Sequence, residues 1–256
     1  MLSIATFNLR YSWSGDGANS FISRAGNILT VLDNIRPDVI CFQEGVEQNI
    51  DFLSKYLESY HIVFNQRNSD FGGEGLATAY RKDKFRLLEL NFFWLSPTPD
   101  VPGSRYHGQS PCPRICQSAL FKRIEDGKLF RTYNIHLDHV SDRARILGIQ
   151  SVMNKVKEDN SRFDLPFFIL GDFNAEPKSE TIRFCDTHKS PEIVDLTRDI
   201  QATFHDFGRD KRPSKIDYIY SDLKTATQAH GTKALTDCIN GIYLSDHYPV
   251  VLDIDL

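Results

Sequence analysis

The chain has 256 residues, a formal net charge of −4, 41% hydrophobic and 25% charged residues, the balance of a soluble protein with a sizeable core. That charge argues against binding to nucleic acid by bulk electrostatics, although an enzyme acting on phosphate esters needs only a local positive site, which a metal can supply. No stretch approaches the ~18 apolar residues of a membrane span, and the N-terminal MLSIATFNLRYSW lacks the layout of a signal peptide.

A cytoplasmic location is therefore expected, unless a leader has been removed. No Gly/Ser-rich linker or charge block divides the sequence, so a single domain spanning residues 1–256 and acting as a monomer is the expectation. The five cysteines are too few and too irregularly spaced for a disulfide framework, and Cys112 and Cys116, with Pro113 between them, make a poor zinc clip. Free thiols are expected.

Along the chain, Leu2 to Phe7 is strand-like and ends at Asn8. RAGNILTVLDNIRP then places Ala25, Ile28, Leu29, Leu32 and Ile35 at helical spacing, and Pro37 stops the helix. Strand-like VICFQE follows, then a second helix in VEQNIDFLSKYL. The runs LATAY, LLELNFFWL, QSALF and LFRTYNI read as strands, DRARILGIQSVMNKV as a third helix with Ile146, Ile149, Met153 and Val156 on one face, and PFFIL, KIDYIY and YPVVLDI as further strands. About a dozen strands among a few helices imply a layered α/β protein with more than one sheet. The unbroken run Phe167-Phe168-Ile169-Leu170 suits a strand covered on both faces. Gly171 after it permits close backbone approach, and Asp172 and Asn174 would project to one face of an extended chain; an Asx turn ending the strand is the competing account.

The same pattern recurs. Asn8, Glu44, His136, Asp217, Asp246 and His247 each sit in or at the end of an apolar strand, where an unpaired polar group is costly, so convergence on one site explains them together. Two loops could serve substrate. LSPTPDVPGSRYHGQSPCPR holds five of the eleven prolines and offers Arg105 and Arg114, while GRDKRPSK offers Arg209, Lys211, Arg212 and Lys215 just before Asp217, with a solvated charged loop as the plainer account. Trp13 and Tyr106 are candidates for stacking on a base or sugar.

TFN, QE, NIHLDH, GDFN, IDYI and SDHYPV, in that order from residue 6 to residue 250, resemble the endonuclease/exonuclease/phosphatase superfamily, with GGEG, WLSPTP and HLDH most similar to its small bacterial members. The resemblance implies a four-layered α/β sandwich, two packed and mainly antiparallel sheets flanked by helices, with a metal-dependent phosphoesterase site at one end. The chemistry fits. Phosphoester hydrolysis needs charge neutralised on the phosphoryl oxygens, an activated water and a stabilised leaving alkoxide. Asn8, Glu44 and Asp246 suit Mg²⁺ or Mn²⁺. His247 would be general base or electrostatic partner with Asp217 fixing its tautomer, Asp172 would orient or deprotonate the water, and His136 and Asn174 would donate to phosphoryl oxygens.

The expected activity is that of a metal-dependent phosphodiesterase or nuclease, with nucleic acid among the candidate substrates; the alternative is a phosphatase of a small phosphorylated sugar, inositol or lipid headgroup. Two rivals are weaker. Asn134, His136, Asp138 and His139 match all but the first ligand of the zinc motif of metallo-β-lactamase-like hydrolases, but that account leaves GDFN and SDH unexplained. A binding module that recognises phosphate without cleaving it predicts decay of the polar set, which is complete.

Overall fold

The structure is a computed structural model that describes residues 1–12 and 14–256; Trp13 lies outside the described residues. In chain order the elements are β1 (Leu2–Asn8), α1 (Phe21–Ile35), β2 (Val39–Gly45), α2 (Glu47–Tyr56), β3 (Tyr60–Gln66), β4 (Gly75–Arg81), β5 (Phe85–Trp94), β6 (Ile115–Arg123) and β7 (Leu129–His136). The second half holds α3 (Asp142–Arg162), β8 (Phe167–Asp172), α4 (Glu180–Thr187), β9 (Ile193–Asp195), β10 (Asp217–Asp222), α5 (Leu223–Ala226), β11 (Ala229–Ala234), β12 (Cys238–Ile239), β13 (Ile242–Tyr243) and β14 (Val250–Ile254).

Two six-stranded sheets form, in the orders β11-β14-β1-β2-β4-β3 and β5-β6-β7-β8-β10-β9, with β12 and β13 as a separate small ribbon. Each large sheet is antiparallel except for one central parallel pair, β1 with β2 and β7 with β8. Strand alternation builds the layers. In β8, Phe168 and Leu170 face the other sheet and, with Phe121 and Phe130 of their own sheet, join Ile4, Val39 and Leu252 of the facing one. Phe167 and Ile169 face the opposite way, onto Ile149, Val152, Met153 and Val156 of α3. Ala5, Phe7, Ile40 and Phe42 of the first sheet likewise pack on Phe21, Ile28 and Leu32 of α1 and Leu53 of α2. Both faces of the central strands are dry, which is why their sequences run apolar without alternation. The result is the α/β sandwich that the sequence predicts.

Local signals end the helices where expected. Arg36 closes α1 in the left-handed conformation, its N–H donating to the carbonyl of Leu32 at 2.8 Å, immediately before Pro37. Ser141 caps α3 by accepting from the N–H of Ala144 at 3.2 Å. The third helix differs from expectation in two ways: it continues to Arg162, and Arg145 rather than Ile146 is among its buried residues. The strands β9, β12 and β13 and the helix α5 escape prediction because they are too brief to show periodicity, and β3, β11 and α4 escape it as well.

Gly171 has a steric task. It pairs with Ile135 across β7 and β8 at φ +145°, and a Cβ there would lie 1.9 Å from the carbonyl oxygen of Ile135. Phe168, fully buried between the sheets, tests the core. Phe168→Ala is expected to lower unfolding free energy by about 3–5 kcal/mol in urea titration; a loss under ~1 kcal/mol would mean that this layer tolerates a cavity.

Candidate active site

The polar residues at the strand ends collect at one end of the sandwich, past the carboxyl ends of the two parallel pairs. Register does most of the work. His136 of β7 pairs with Asp172 of β8, and Asp172 pairs with Asp217 of β10, so three side chains on neighbouring strands lie side by side. On the other sheet Asn8 pairs with Gln43, and Glu44 follows within a β-bulge, since two residues of β2 between Phe42 and Gly45 oppose one residue of β4. Glu44 takes φ +56°, a strained backbone for a non-glycine residue. Its carboxylate accepts from Asn8 Nδ2 at 3.1 Å and from the N–H of Tyr11 at 3.0 Å.

Asp172 Oδ2 is the meeting point. It accepts from Asn8 Nδ2 at 3.0 Å, which joins the two sheets, and lies 3.5 Å from His136 Nε2 and 3.9 Å from His247 Nε2. Its other oxygen accepts from the N–H of Asn174 at 2.8 Å. The Asx turn and the display at the rim thus coexist in one carboxylate, one oxygen closing the turn and the other facing the site. The two-residue alternation does not continue beyond it: β8 ends at Asp172, Asn174 is left-handed at φ +48°, and its Nδ2 donates to the carbonyl of Leu137 at 3.1 Å.

His247 Nδ1 lies 2.8 Å from Asp217 Oδ2. The loop carrying Asp246 and His247 is clipped to the strand residue Asp217 through Thr203. The N–H of Tyr248 donates to the carbonyl of Thr203 at 2.6 Å, and the Thr203 hydroxyl accepts from the N–H groups of Ile216 and Asp217, both at 3.0 Å. Asp246 accepts from the Ser245 hydroxyl at 3.0 Å and faces Arg10 at 3.7 Å.

Burial sets the charges. It pushes Asp172 up to about 7, helped by the neighbouring charge of Asp217. Burial also raises Asp246. It would lower His247, but Asp217 and Asp172 outweigh it and lift the imidazole to about 10, so the imidazolium is its resting form. His136 moves well down, by burial and then by the charges of Arg114 and Arg67, and stays neutral.

Among the described residues, two sets of ligand-type atoms lie within 4.8 Å of one another, Glu44 with His136 and Asp172, and Asp172 with Asp217 and His247. Burial, and after it the charges of Asp217 and Glu44 on Asp172 and of Glu44 on Asp246, push these two carboxyls up, and a bound cation would relieve that push. The predominance of hard oxygen donors fits such a cation.

The zinc motif does not assemble. Asn134 lies between the sheets, with Nδ2 donating to the carbonyls of Phe42 and Ala77 at 3.1 Å and Oδ1 accepting from Gln43 Nε2 at 2.8 Å. Asp138 staples the proline-rich loop, accepting from the N–H groups of Val140 and Ser141 and from the hydroxyl of Ser110. His139 meets Arg114.

The basic candidates scatter. Arg114 is buried beside His136, while exposed Arg105 donates to the carbonyl of Ser110 within its own loop. Arg209 pairs with Asp206 at 2.6 Å, Lys211 and Arg212 are exposed, and Lys215 is buried, donating to Asp195 and to the carbonyl of Thr197 at 2.7 Å each. Lys215 therefore belongs to the core and leaves the basic loop one charge poorer. Tyr106 turns its hydroxyl to Ser151 of α3 at 2.9 Å.

Sequence reasoning missed Arg10, Arg67, Glu74 and Arg24. The last is fully buried in α1 and donates to the carbonyls of Leu9, Arg10, Asn19 and Leu244, which frames the loops on either side of the site. A signal for it existed: Arg24 falls on the apolar stripe of Phe21, Ala25, Ile28 and Leu32.

A family model described as "Endonuclease/Exonuclease/phosphatase family" matches residues 5–247. Among solved structures, an endonuclease/exonuclease/phosphatase from Bacteroides vulgatus is 28% identical, with 100% of this chain and 98% of that chain covered at a TM-score of 0.92. A mannosyl-6-phosphatase from Bacteroides thetaiotaomicron VPI-5482 is 27% identical, with both chains covered completely at a TM-score of 0.91. D. rerio TDP2, solved with a single-strand DNA product, shares the fold at 19% identity and a TM-score of 0.74, over 98% of this chain and 97% of that one. A comparison with curated proteins finds no significant match. No helix among the described residues is long and apolar enough to cross a membrane.

Proposed function

The chain belongs to the Endonuclease/Exonuclease/phosphatase family, and from that premise we propose that it hydrolyses a phosphoester with Mg²⁺ or Mn²⁺, acting on a small phosphorylated sugar in preference to a polynucleotide. One observation carries the hydrolytic reading: Asn8, His136, His247 and the Asn174 turn all converge on the carboxylate of Asp172. The likeness to a mannosyl-6-phosphatase over the full length of both chains supports the sugar, and so does the dispersal of the basic loop, where Lys215 is buried and Arg209 is paired.

Glu44, Asn8 and Asp246 would hold the cation, which would neutralise phosphoryl oxygens and the departing alkoxide. Asp172, held near neutrality by burial and fixed by the N–H of Asn174, accepts the proton of the attacking water. His247 keeps its Nε2 proton turned into the site because Asp217 holds Nδ1, and it donates to a phosphoryl oxygen. Neutral His136 supplies a second donor.

Hydrolysis of phosphate esters by the purified protein should require Mg²⁺ or Mn²⁺ and vanish with chelator, as read by phosphate release across a panel of sugar phosphates, inositol phosphates, RNA and DNA. Glu44→Gln should weaken Mn²⁺ binding in calorimetry and regain part of its rate in excess Mg²⁺, whereas His247→Ala should bind Mn²⁺ nearly normally and resist rescue. Full activity without metal would overturn the mechanism, and a preference for polynucleotides would overturn the sugar.

A further inference from the structure

Beside His136 the site contains positive charge that the chain itself does not satisfy. Arg67 follows β3, Glu74 precedes β4 and Arg114 precedes β6, and the two arginines with Gly75, Leu76, Ile115 and His136 line one small void. Arg114 is only 4% exposed and Arg67 only 8%. Arg67 has a partner, Glu74, at 2.9 Å. Arg114 has no carboxylate within ion-pair distance among the described residues; its Nη2 meets His139 Nδ1 at 2.9 Å, and its Nε and Nη1 have no hydrogen-bond partner, nor does Nε of Arg67. Two guanidinium groups therefore share one carboxylate in a place that solvent barely reaches. Burying an unpaired charge and leaving its donors empty are each costly, so this arrangement calls for an anion to complete it.

The substrate can supply that anion, but not every phosphoester can. A diester offers two non-bridging oxygens and one negative charge. A monoester offers three terminal oxygens and, with a second pKa near 6, about −1.5 to −2 charges at neutral pH. Once His136, His247 and the carboxylate-held cation have been matched to two oxygens, a monoester still has a third, and a planar guanidinium fork with free N–H groups is the side chain best shaped to take it.

We propose that Arg114, supported by Arg67, is the specificity-determining residue that binds the third oxygen of a phosphate monoester and so selects monoesters over diesters. This rests on the phosphoester reading of the neighbouring site and names its substrate class. Glu74 balances Arg67 and thereby aims the surplus charge at Arg114.

The test uses the full chain with Mg²⁺ and compares p-nitrophenyl phosphate with methyl p-nitrophenyl phosphate. The wild-type protein should prefer the monoester in kcat/KM. Arg114→Met should lose about 10- to 100-fold more on the monoester than on the diester, the range expected for hydrogen bonds to a charged group. Inorganic phosphate supplies a readout that needs no turnover: it should raise the melting temperature of the wild-type protein and that of Arg114→Met much less, while Mn²⁺ binding in calorimetry stays intact. Without phosphate, Arg114→Met should melt no lower than wild type, because it removes an unpaired buried charge. If it does melt early, Arg114→Lys, which keeps the charge and loses the fork, should show the same selective loss.

Equal losses on the two esters, or an unchanged phosphate shift in the variant, would overturn the proposal. A phosphate shift that shrinks in Arg114→Met, in a protein that hydrolyses neither ester, would keep the anion subsite and sink the hydrolytic reading. Preferred hydrolysis of the diester would do the reverse.

Discussion

Asp172→Asn is expected to reduce turnover by about 10²–10⁴-fold, the usual contribution of a positioned general base, while the protein remains folded. The asparagine can still accept from the N–H of Asn174, now 2.8 Å from Oδ1, so the turn after β8 should persist. What disappears is the negative charge that faces His136, His247 and Asn8. The same substitution should alter the pH dependence of stability in the metal-free protein. Burial, then Asp217, raises the folded-state pKa of Asp172 to about 7, against roughly 3.9 in an unfolded chain. A group raised in this way contributes stability that is present below about pH 4 and lost as pH rises through about 7, because the folded protein holds a proton that the unfolded chain has released. From pH 4 to pH 8 in chelator, the difference in unfolding free energy should therefore move in favour of the variant. Denaturant titrations across that range, with turnover measured beside them, decide the matter: parallel stability curves would remove the charge argument, and turnover within tenfold of wild type would remove Asp172 from the chemistry.

Arg24→Met is expected to cost about 3–5 kcal/mol of stability, as breaking a buried charged network does. The side chain has no exposed surface, and its guanidinium donates to Leu244 at 2.5 Å, Asn19 at 2.7 Å, Leu9 at 3.0 Å and Arg10 at 3.2 Å. Methionine fills much of the volume but leaves those carbonyls without their donor. Burial lowers Arg24 to about 10 against the pull of Asp246 and Asp16, so it remains charged at neutral pH. Function should suffer with stability. The carbonyls it holds belong to the segment whose Tyr11 N–H fixes Glu44 and to the residue two before Asp246. Well below its melting temperature, Arg24→Met should bind Mn²⁺ about 10- to 100-fold more weakly, the scale of losing the support behind a metal ligand. Urea unfolding and calorimetry provide both numbers, and a stability loss under ~1 kcal/mol with normal Mn²⁺ affinity would reduce Arg24 to simple packing.

Much of the fold was legible because the central strands are buried on both faces. Phe167 to Leu170 and Val39 to Phe42 read as continuous apolar runs for that reason, and polar residues at their ends stand out against them. The shorter elements were not legible. β9 and β12 have three and two residues, fewer than a period needs in order to show itself. Asn134 stands where the zinc motif would need its first histidine, and strand alternation turns it between the sheets, where it meets Gln43.

The sequence by itself determined the composition of the candidate site, since residue types and their positions at strand ends are local properties. Tertiary structure alone decided how those residues share charge. Register set His136, Asp172 and Asp217 side by side, the bulge at Glu44 turned its carboxylate toward Asn8, burial raised Asp172 and lowered His136, and Asp217 with Asp172 lifted His247 against its burial. Tertiary structure also separated four basic candidates that look alike in sequence: Lys215 is sealed into an ion pair, Arg209 is paired at the surface, Arg105 is spent on its own loop, and Arg114 is left with empty donors beside His136. A side chain's charge is written in the sequence, but its partners and its access to water depend on residues far away along the chain, and those decide whether the charge is neutralised, solvated or kept for a ligand.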